Sequence, residues 1–319
     1  MVSHHSNPYT LKAVPENIHV GYYSADLKPV LTIRSGDVVE IETTRADAPE
    51  EVDDAIRPEV AALVQKRLHG GPGPHTLTGP IYIEGAEPGH VLEVHIEEIR
   101  LRTRYGLNRS TEYGILFRDL PTPFIKTFFC IDLEKKLAEE VLPGVTIPLR
   151  PFFGNLGVAP LPRFGRVDSK VPGIHCGNID VRNLVAGTTL YMPIHVKGAL
   201  FSVGDGHACQ ADGEADGTAL ETPLTGVFKF VVRNDLRLKR PMAETPTHYM
   251  TIAYHKNLKW AAKLTLKDMI QFLIQTRGYR EEEAYALLSL AGEMHVSQLV
   301  NLIPGIHFML PKTIFKDAR

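Results

Sequence analysis

Cysteine is scarce in this chain: Cys130, Cys176 and Cys209 are the three in 319 residues, and no C-x-x-C spacing occurs. An odd, dispersed set builds neither a closed disulfide framework nor a thiolate zinc site. A reducing, cytoplasmic setting is therefore expected, with the thiols read as small half-buried hydrophobes. Any metal must then use His and carboxylate ligands. Long apolar runs are also lacking. None approaches the ~18 residues of a membrane span, and MVSHHSNPYT has no apolar core like a signal peptide's. Neither charge sign dominates, with 35 Lys and Arg against 37 Asp and Glu, so the basic field that nucleic acid demands is missing. No G-x-S-x-G elbow, Ser-Ser pair, P-loop or Rossmann fingerprint appears. Disorder is excluded by the 44% of hydrophobic residues, which suffice for a sizeable core.

Punctuation and histidine are what the chain has in quantity: 26 Gly, 23 Pro and 14 His. Gly and Pro together make about 15% of the residues, against an average of roughly 12%. Val38 to Glu42 nearly alternates apolar and acidic residues, as a strand wet on one side does. GPIYIEG, HVLEVHIEEIRL, TTLYMPIHV and GVFKFVVRND read as further strands. Glu87-Pro88-Gly89 predicts a hairpin-like reversal between the first two of these. Residues 50–68 read as a short helical insertion, interrupted by Pro58. Residues 142–173, dense in Pro and Gly, predict no regular element of useful length. Helical periodicity begins only after about 245, with helices expected over about 259–277 and Glu281–Leu290, separated by the Gly278 stop. The order predicts an α+β, mainly β fold: a β-rich sandwich or barrel-like body with a small C-terminal α/β portion. Its parts are an N-terminal β-rich stretch 1–150, a central β-rich stretch 151–245 and a helical α+β stretch 246–319.

The polar text is densest over 175–222, among many glycines. Asp205-Gly206-His207 follows the apolar GALFSVG, and in extended backbone residues i and i+2 face one way, so the pair can grip one cation. Asp212, Glu214, Asp216 and Gly217 echo the start of an EF-hand. Its twelfth position falls on Pro223, which supplies no carboxylate, so that motif is rejected while another calcium site stays open. Cys209, two residues beyond His207, leaves a thiol nucleophile as an alternative. His295, His307 and most other histidines read as surface or satisfied core residues. His75 differs: it stands just before a strand that ends at Glu84.

Four segments resemble the acetamidase/formamidase family, metal-dependent amidases unrelated to the amidase-signature and nitrilase enzymes. They are HTLTGPIYIEGAEPGHVLEV, FFGNLGVAP, the block from His175 through Glu221, and EEEAYALLSLAGEMHVSQLVN with LPKTIF near the end. They follow the family order over about 70–315. The family typically has HGGNMD or HGGNCD where this chain reads HCGNID over 175–180, a change that spares His175, Asn178 and Asp180. The resemblance implies hydrolysis of a short aliphatic amide to carboxylate and ammonia, a β-rich fold, a homodimer or larger assembly, and a divalent metal, zinc first and calcium second. A compatible mechanism places the cation on Asp180, Asp205 and His207, with His75 as a fourth ligand. Glu214 carries the proton, with Glu84 or Glu221 as substitutes, and Asn178 stabilises the oxyanion. His175 and Asp212 complete the candidates. Two readings of other kinds stand beside this one: a non-catalytic, metal-stabilised binding protein, and a thiol amidase using Cys209.

Overall fold

A computed structural model of the chain describes residues 9–45, 70–120 and 127–316. The expected helical insertion at 50–68 lies outside them. Two large sheets dominate the rest, one of nine strands and one of eleven, with a small two-stranded sheet beside them. In the nine-stranded sheet Val38–Glu42, Leu224–Arg233, Val91–Leu101 and Thr188–Pro193 lie side by side. Val39 and Ile41 are buried between the less buried Val38, Glu40 and Glu42, the period-two burial that the alternating sequence requires.

The sheets face one another across a shared apolar core. Phe228 and Phe230 of one sheet meet Phe153 and Phe201 of the other, with ring centroids 5.0–6.1 Å apart. Ile81, Val203, Leu92 and Val94 belong to the same cluster. Truncating a phenylalanine in such a core typically costs about 3–5 kcal/mol, so this layer fixes how the sheets sit on each other. The sandwich expected from the strand order is therefore present.

Two local expectations are corrected. The strands Thr76–Ile83 and Val91–Leu101 do not form a hairpin. They belong to different sheets, and the turn at Glu87–Gly89 carries the chain across the sandwich. Both edges of Thr76–Ile83 are already taken, by Ile18–Val20 and Leu31–Ile33 and by Phe201–Cys209. Likewise, residues 142–173 contain strands, Val145–Pro148 and the wholly buried Phe152–Gly157. Their glycines mark close approach rather than a loop. A Cβ on Gly157 would stand 2.8 Å from the Gly177 nitrogen, a contact that only glycine avoids.

After Tyr254 the chain forms α1 (Leu258–Arg277) and α2 (Glu281–Ala291). Asn257 caps α1 by accepting from the Trp260 N–H at 3.1 Å, and Gly278, at φ 70°, ends it. Met269 and Leu273 of α1 pack with Ala284 and Leu288 of α2 on Phe308 and Leu310 of the nine-stranded sheet. Among the described residues no helix is long and apolar enough to cross a membrane.

Candidate active site

The site is built around Phe201–Cys209, a strand flanked by Phe152–Gly157, Thr76–Ile83 and Leu220–Glu221. Phe201 and Val203 belong to the inter-sheet core, yet His207, of the same parity, stands against Phe152 with ring centroids 5.0 Å apart and faces a group of acids. Asp205 lies between them at φ 58°, in the left-handed region. That turn of the backbone, rather than plain extension, sets the aim of the pair. Asp180 and Glu214 also have positive φ, 45° and 46°. Three carboxylates of one cluster thus sit on costly backbone, a concentration seen where function over-determines geometry.

Around the His207 imidazole stand Asp180, Asp205, Glu214 and Glu221, all buried. Asp205 Oδ2 and Glu221 Oε1 each approach His207 Nε2 to 3.4 Å. Among the described residues neither His207 Nε2 nor Asp180 Oδ1 has a hydrogen-bond partner. Ligand atoms of Asp180, Asp205 and His207 lie within 4.8 Å of one another, as do those of His207, Glu214 and Glu221. His75 faces the group, its Nε2 3.7 Å from Asp205 Oδ2 and its Nδ1 2.9 Å from Ser169 Oγ. In the middle of the cluster is Gly154. A Cβ there would lie 2.5 Å from Asp205 Oδ2, 2.6 Å from His207 Cε1 and 2.7 Å from Asp180 Oδ1. The Gly154 carbonyl accepts from the N–H groups of Ile179 and Asp180, at 2.8 and 3.2 Å, which fastens Asp180 to the same strand.

Charge is unevenly balanced. Burial opposes protonation of His207, but Glu221, Asp205 and Asp180 outweigh it and push its pKa up to about 9. Burial also works against an ionised Asp205, whose carboxyl nevertheless stays below the usual range beside His75, His207 and Arg45. Asp180 and Glu214 are raised well above it, by burial first and by neighbouring carboxylates second. Arg45 ion-pairs with Glu221 and stands 3.8 Å from Asp205. This donor set of carboxylate oxygens and imidazole nitrogens, with orphaned buried atoms around a hollow, fits a divalent cation.

Neutral side chains complete the frame. Asn155 donates to Asp205 Oδ2 at 3.2 Å and to Asn178 Oδ1. The Asn178 amide N–H groups are therefore left for the adjoining cavity of about 880 Å³, which Asn178, His75, Arg45, Glu214 and Asn301 line. Asn301 donates to Asp180 Oδ2 at 3.2 Å and to Glu214 Oε2 at 3.3 Å. Gln210 accepts from His207 Nδ1 at 3.0 Å.

Of the residues singled out from sequence, His75, Asn178, Asp180, Asp205, His207, Glu214 and Glu221 come together here. Glu84 does not. It pairs with Arg34 at 3.4 Å and is half exposed, because the strand between His75 and Glu84 separates them by roughly 25–30 Å. Asp212 also lies outside, bound to Arg182 at 2.7 Å and His295 at 2.8 Å. With His295 and His307 it forms another cluster of possible ligands, in which Arg182 already supplies the positive charge. His175 is buried edge-on against Tyr23, and burial followed by the nearby His195 lowers its pKa to about 3. Cys209 lines a separate cavity with Arg150 and Leu220, and burial pushes its thiol up to about 11, the wrong direction for a nucleophile. Arg45, Gly154, Asn155, Gln210 and Asn301 were missed. Gly154 and Asn155 stood in FFGNLGVAP, and Asn301 closes HVSQLVN, so the resemblance held a signal for these three.

The sequence profile of the acetamidase/formamidase family matches residues 10–167 and 165–317. An acetamidase structure from Bacillus halodurans is similar over 97% of this chain and 99% of its own, with 31% identity and a TM-score of 0.83. An acetamidase structure from Yersinia enterocolitica is similar over 98% of this chain and 95% of its own, at 26% identity and a TM-score of 0.82. A formamidase of Methylophilus methylotrophus is 28% identical over 153 residues, which span 41% of this chain and 37% of that enzyme.

Proposed function

Because the chain belongs to the acetamidase/formamidase family and is an amidohydrolase, we propose that it hydrolyses short aliphatic amides at a divalent metal held by Asp180, Asp205 and His207, with His75 as a further ligand. The reading rests on one observation above all. Asp180 Oδ1 and His207 Nε2, buried and without hydrogen-bond partners among the described residues, face Asp205 across the hollow that Gly154 leaves. Zinc is the first expectation, since imidazole is among the donors, and calcium the second.

A divalent cation bound there supplies Lewis acidity, lowering the pKa of a water toward ~7 and polarising an amide carbonyl. The protein's own groups do the rest. Glu214 is the proton carrier: its carboxylate accepts from the Asn301 amide, is tied to no cationic side chain among the described residues, and lines the cavity where substrate enters. It takes a proton from the attacking water and delivers it to the departing amine. Glu221 is less suited, being tied to Arg45 and to the Ala219 N–H at 3.0 Å. The Asn178 amide, turned toward the cavity by Asn155, donates to the carbonyl oxygen as it becomes an oxyanion. A pocket of this kind separates neighbouring amides by only about 1–3 kcal/mol per methylene, so several are substrates.

The same reading includes a cytoplasmic location and a homodimer or larger assembly, which sedimentation would measure. A non-catalytic binding protein on this scaffold is set aside by membership in a family of amidases. The test is ammonia release from a panel running from formamide to butyramide, with and without chelator. Turnover should vanish with chelator and return with zinc; turnover indifferent to metal removal would refute the metal mechanism.

A further inference from the structure

We propose that Gln210 is a positioning residue that decides which nitrogen of His207 is offered to a cation. The inference rests on the metal reading above, and its premise is the direction of three hydrogen bonds. Gln210 Nε2 lies 3.2 Å from the backbone carbonyl oxygen of Asp180 and 3.2 Å from that of Ser297. Carbonyl oxygens only accept, so the end of the amide facing them must be the NH₂. Its Oε1 is thereby turned to His207 Nδ1, 3.0 Å away. An amide oxygen also only accepts, so Nδ1 carries a proton in the neutral ring as in the imidazolium, and Nε2, among Asp180, Asp205 and Glu221, is the nitrogen left for a cation to take.

The polarity matters because the surroundings pull the other way. Two carboxylates stand 3.4 Å from Nε2 and draw a proton onto it, which would block the ring as a ligand. Gln210 holds the other proton on Nδ1 from the far side of the imidazole, so that when the ring gives up a proton in favour of a cation it is Nε2, and not Nδ1, that is freed. The same amide joins the backbone beside one carboxylate ligand, Asp180, to the strand Glu293–Gln298, so ring and ligand are held in one frame. Such outer partners of a ligating histidine typically contribute 10–100-fold in metal affinity.

Zinc affinity, measured by competition with a chromophoric chelator on the whole protein, separates positioning from packing. Gln210→Met removes the acceptor and both donors, whereas Gln210→Glu removes the donors and keeps an acceptor for Nδ1–H. Gln210→Met should bind zinc about 10–100-fold more weakly, while Gln210→Glu, which loses the two backbone contacts but keeps the acceptor for Nδ1–H, should weaken binding clearly less. A purely structural role predicts that both variants weaken together, and that result, or an unaltered Gln210→Met, would overturn the proposal. Should the variants not fold, nitrogen NMR of zinc-loaded, histidine-labelled wild type decides: Nδ1 of His207 must be protonated and Nε2 ligated, and the reverse is fatal. Wild type that binds no zinc, with or without Asp205→Asn as control, would fail the metal reading and this inference together. Zinc binding lost in Asp205→Asn but intact in Gln210→Met would fail the inference alone.

Discussion

Gly154 contributes no side chain, and its use to the site lies there. Its backbone has no left-handed torsion to forbid alanine, so the obstacle to substitution is space. A methyl group would sit under 3.0 Å from atoms of Asp205, His207 and Asp180 at once, in the hollow those ligands enclose. Gly154→Ala should therefore leave a folded protein whose amide turnover falls by about 100-fold or more, the usual consequence of moving reacting groups by an ångström. Circular dichroism and ammonia release check this, and wild-type turnover would contradict it. The contrast with Asp205 and His207 shows what sequence discloses at this scale. Acids and histidines announce their chemistry by type, so two residues apart on an apolar stretch they could be found. Gly154, Asn155 and Gln210 act through space left empty or through hydrogen-bond direction, and neither is written in residue type. Glu84 was misread for the opposite reason: a carboxylate near His75 in sequence is carried away by a full strand length.

At the scale of elements, periodicity served where one face is wet. Val38–Glu42 and both C-terminal helices lie at or within a residue of their expected places. It failed for Phe152–Gly157, which is buried on both faces and so carries no alternation, only glycines resembling a loop. The C-terminal strands Glu293–Gln298 and Gly305–Pro311 pair His295 with His307, their rings stacked 5.0 Å apart and 9° from parallel. His307 is wholly buried between Ser297 at 2.8 Å and Asn183 at 3.1 Å, and burial followed by His295 lowers its pKa to about 3. The sign follows from linkage. Between the ordinary histidine value of about 6.5 and 3, the unfolded chain binds a proton that the folded one refuses, so stability falls as pH falls through that window. At pH 5 the loss is about 2 kcal/mol for such a group, and buried His175 adds a similar amount. The raised carboxyls Asp180 and Glu214 act in the opposite sense, so the test is a difference: between pH 7 and pH 5 the urea-unfolding free energy of His307→Gln should shift by about 2 kcal/mol in the stabilising direction relative to the wild type. An unchanged pH dependence in that variant would exclude His307 as the source.

For the whole molecule, the site gathers residues from Arg45 to Asn301, nearly the full described chain. The C-terminal part is not a mere appendage to the body. Asn301, in a turn where it and Leu302 have φ of 59° and 71°, donates to Asp180 and Glu214, and Gln298 braces that turn through the Ile303 carbonyl at 2.8 Å. Folding must therefore bring four acids into one buried place against Arg45, His75 and His207, and their mutual repulsion opposes it. A cation that binds only the assembled cluster relieves that repulsion and stabilises the entire fold by mass action. At a free concentration 100-fold above Kd the gain is about 2.7 kcal/mol. With an unfolding entropy of about 2.1 cal/mol/K per residue, this raises Tm by about 4 °C. Zinc should produce such a rise, calcium a smaller one because imidazole is a poor calcium ligand, and Asp205→Asn should abolish it for both. Thermal unfolding over a metal titration tests the expectation without reference to turnover. A Tm indifferent to zinc and calcium in the wild type would mean that Arg45 and a protonated His207 alone neutralise the cluster, and that the hollow beside Gly154 serves substrate instead.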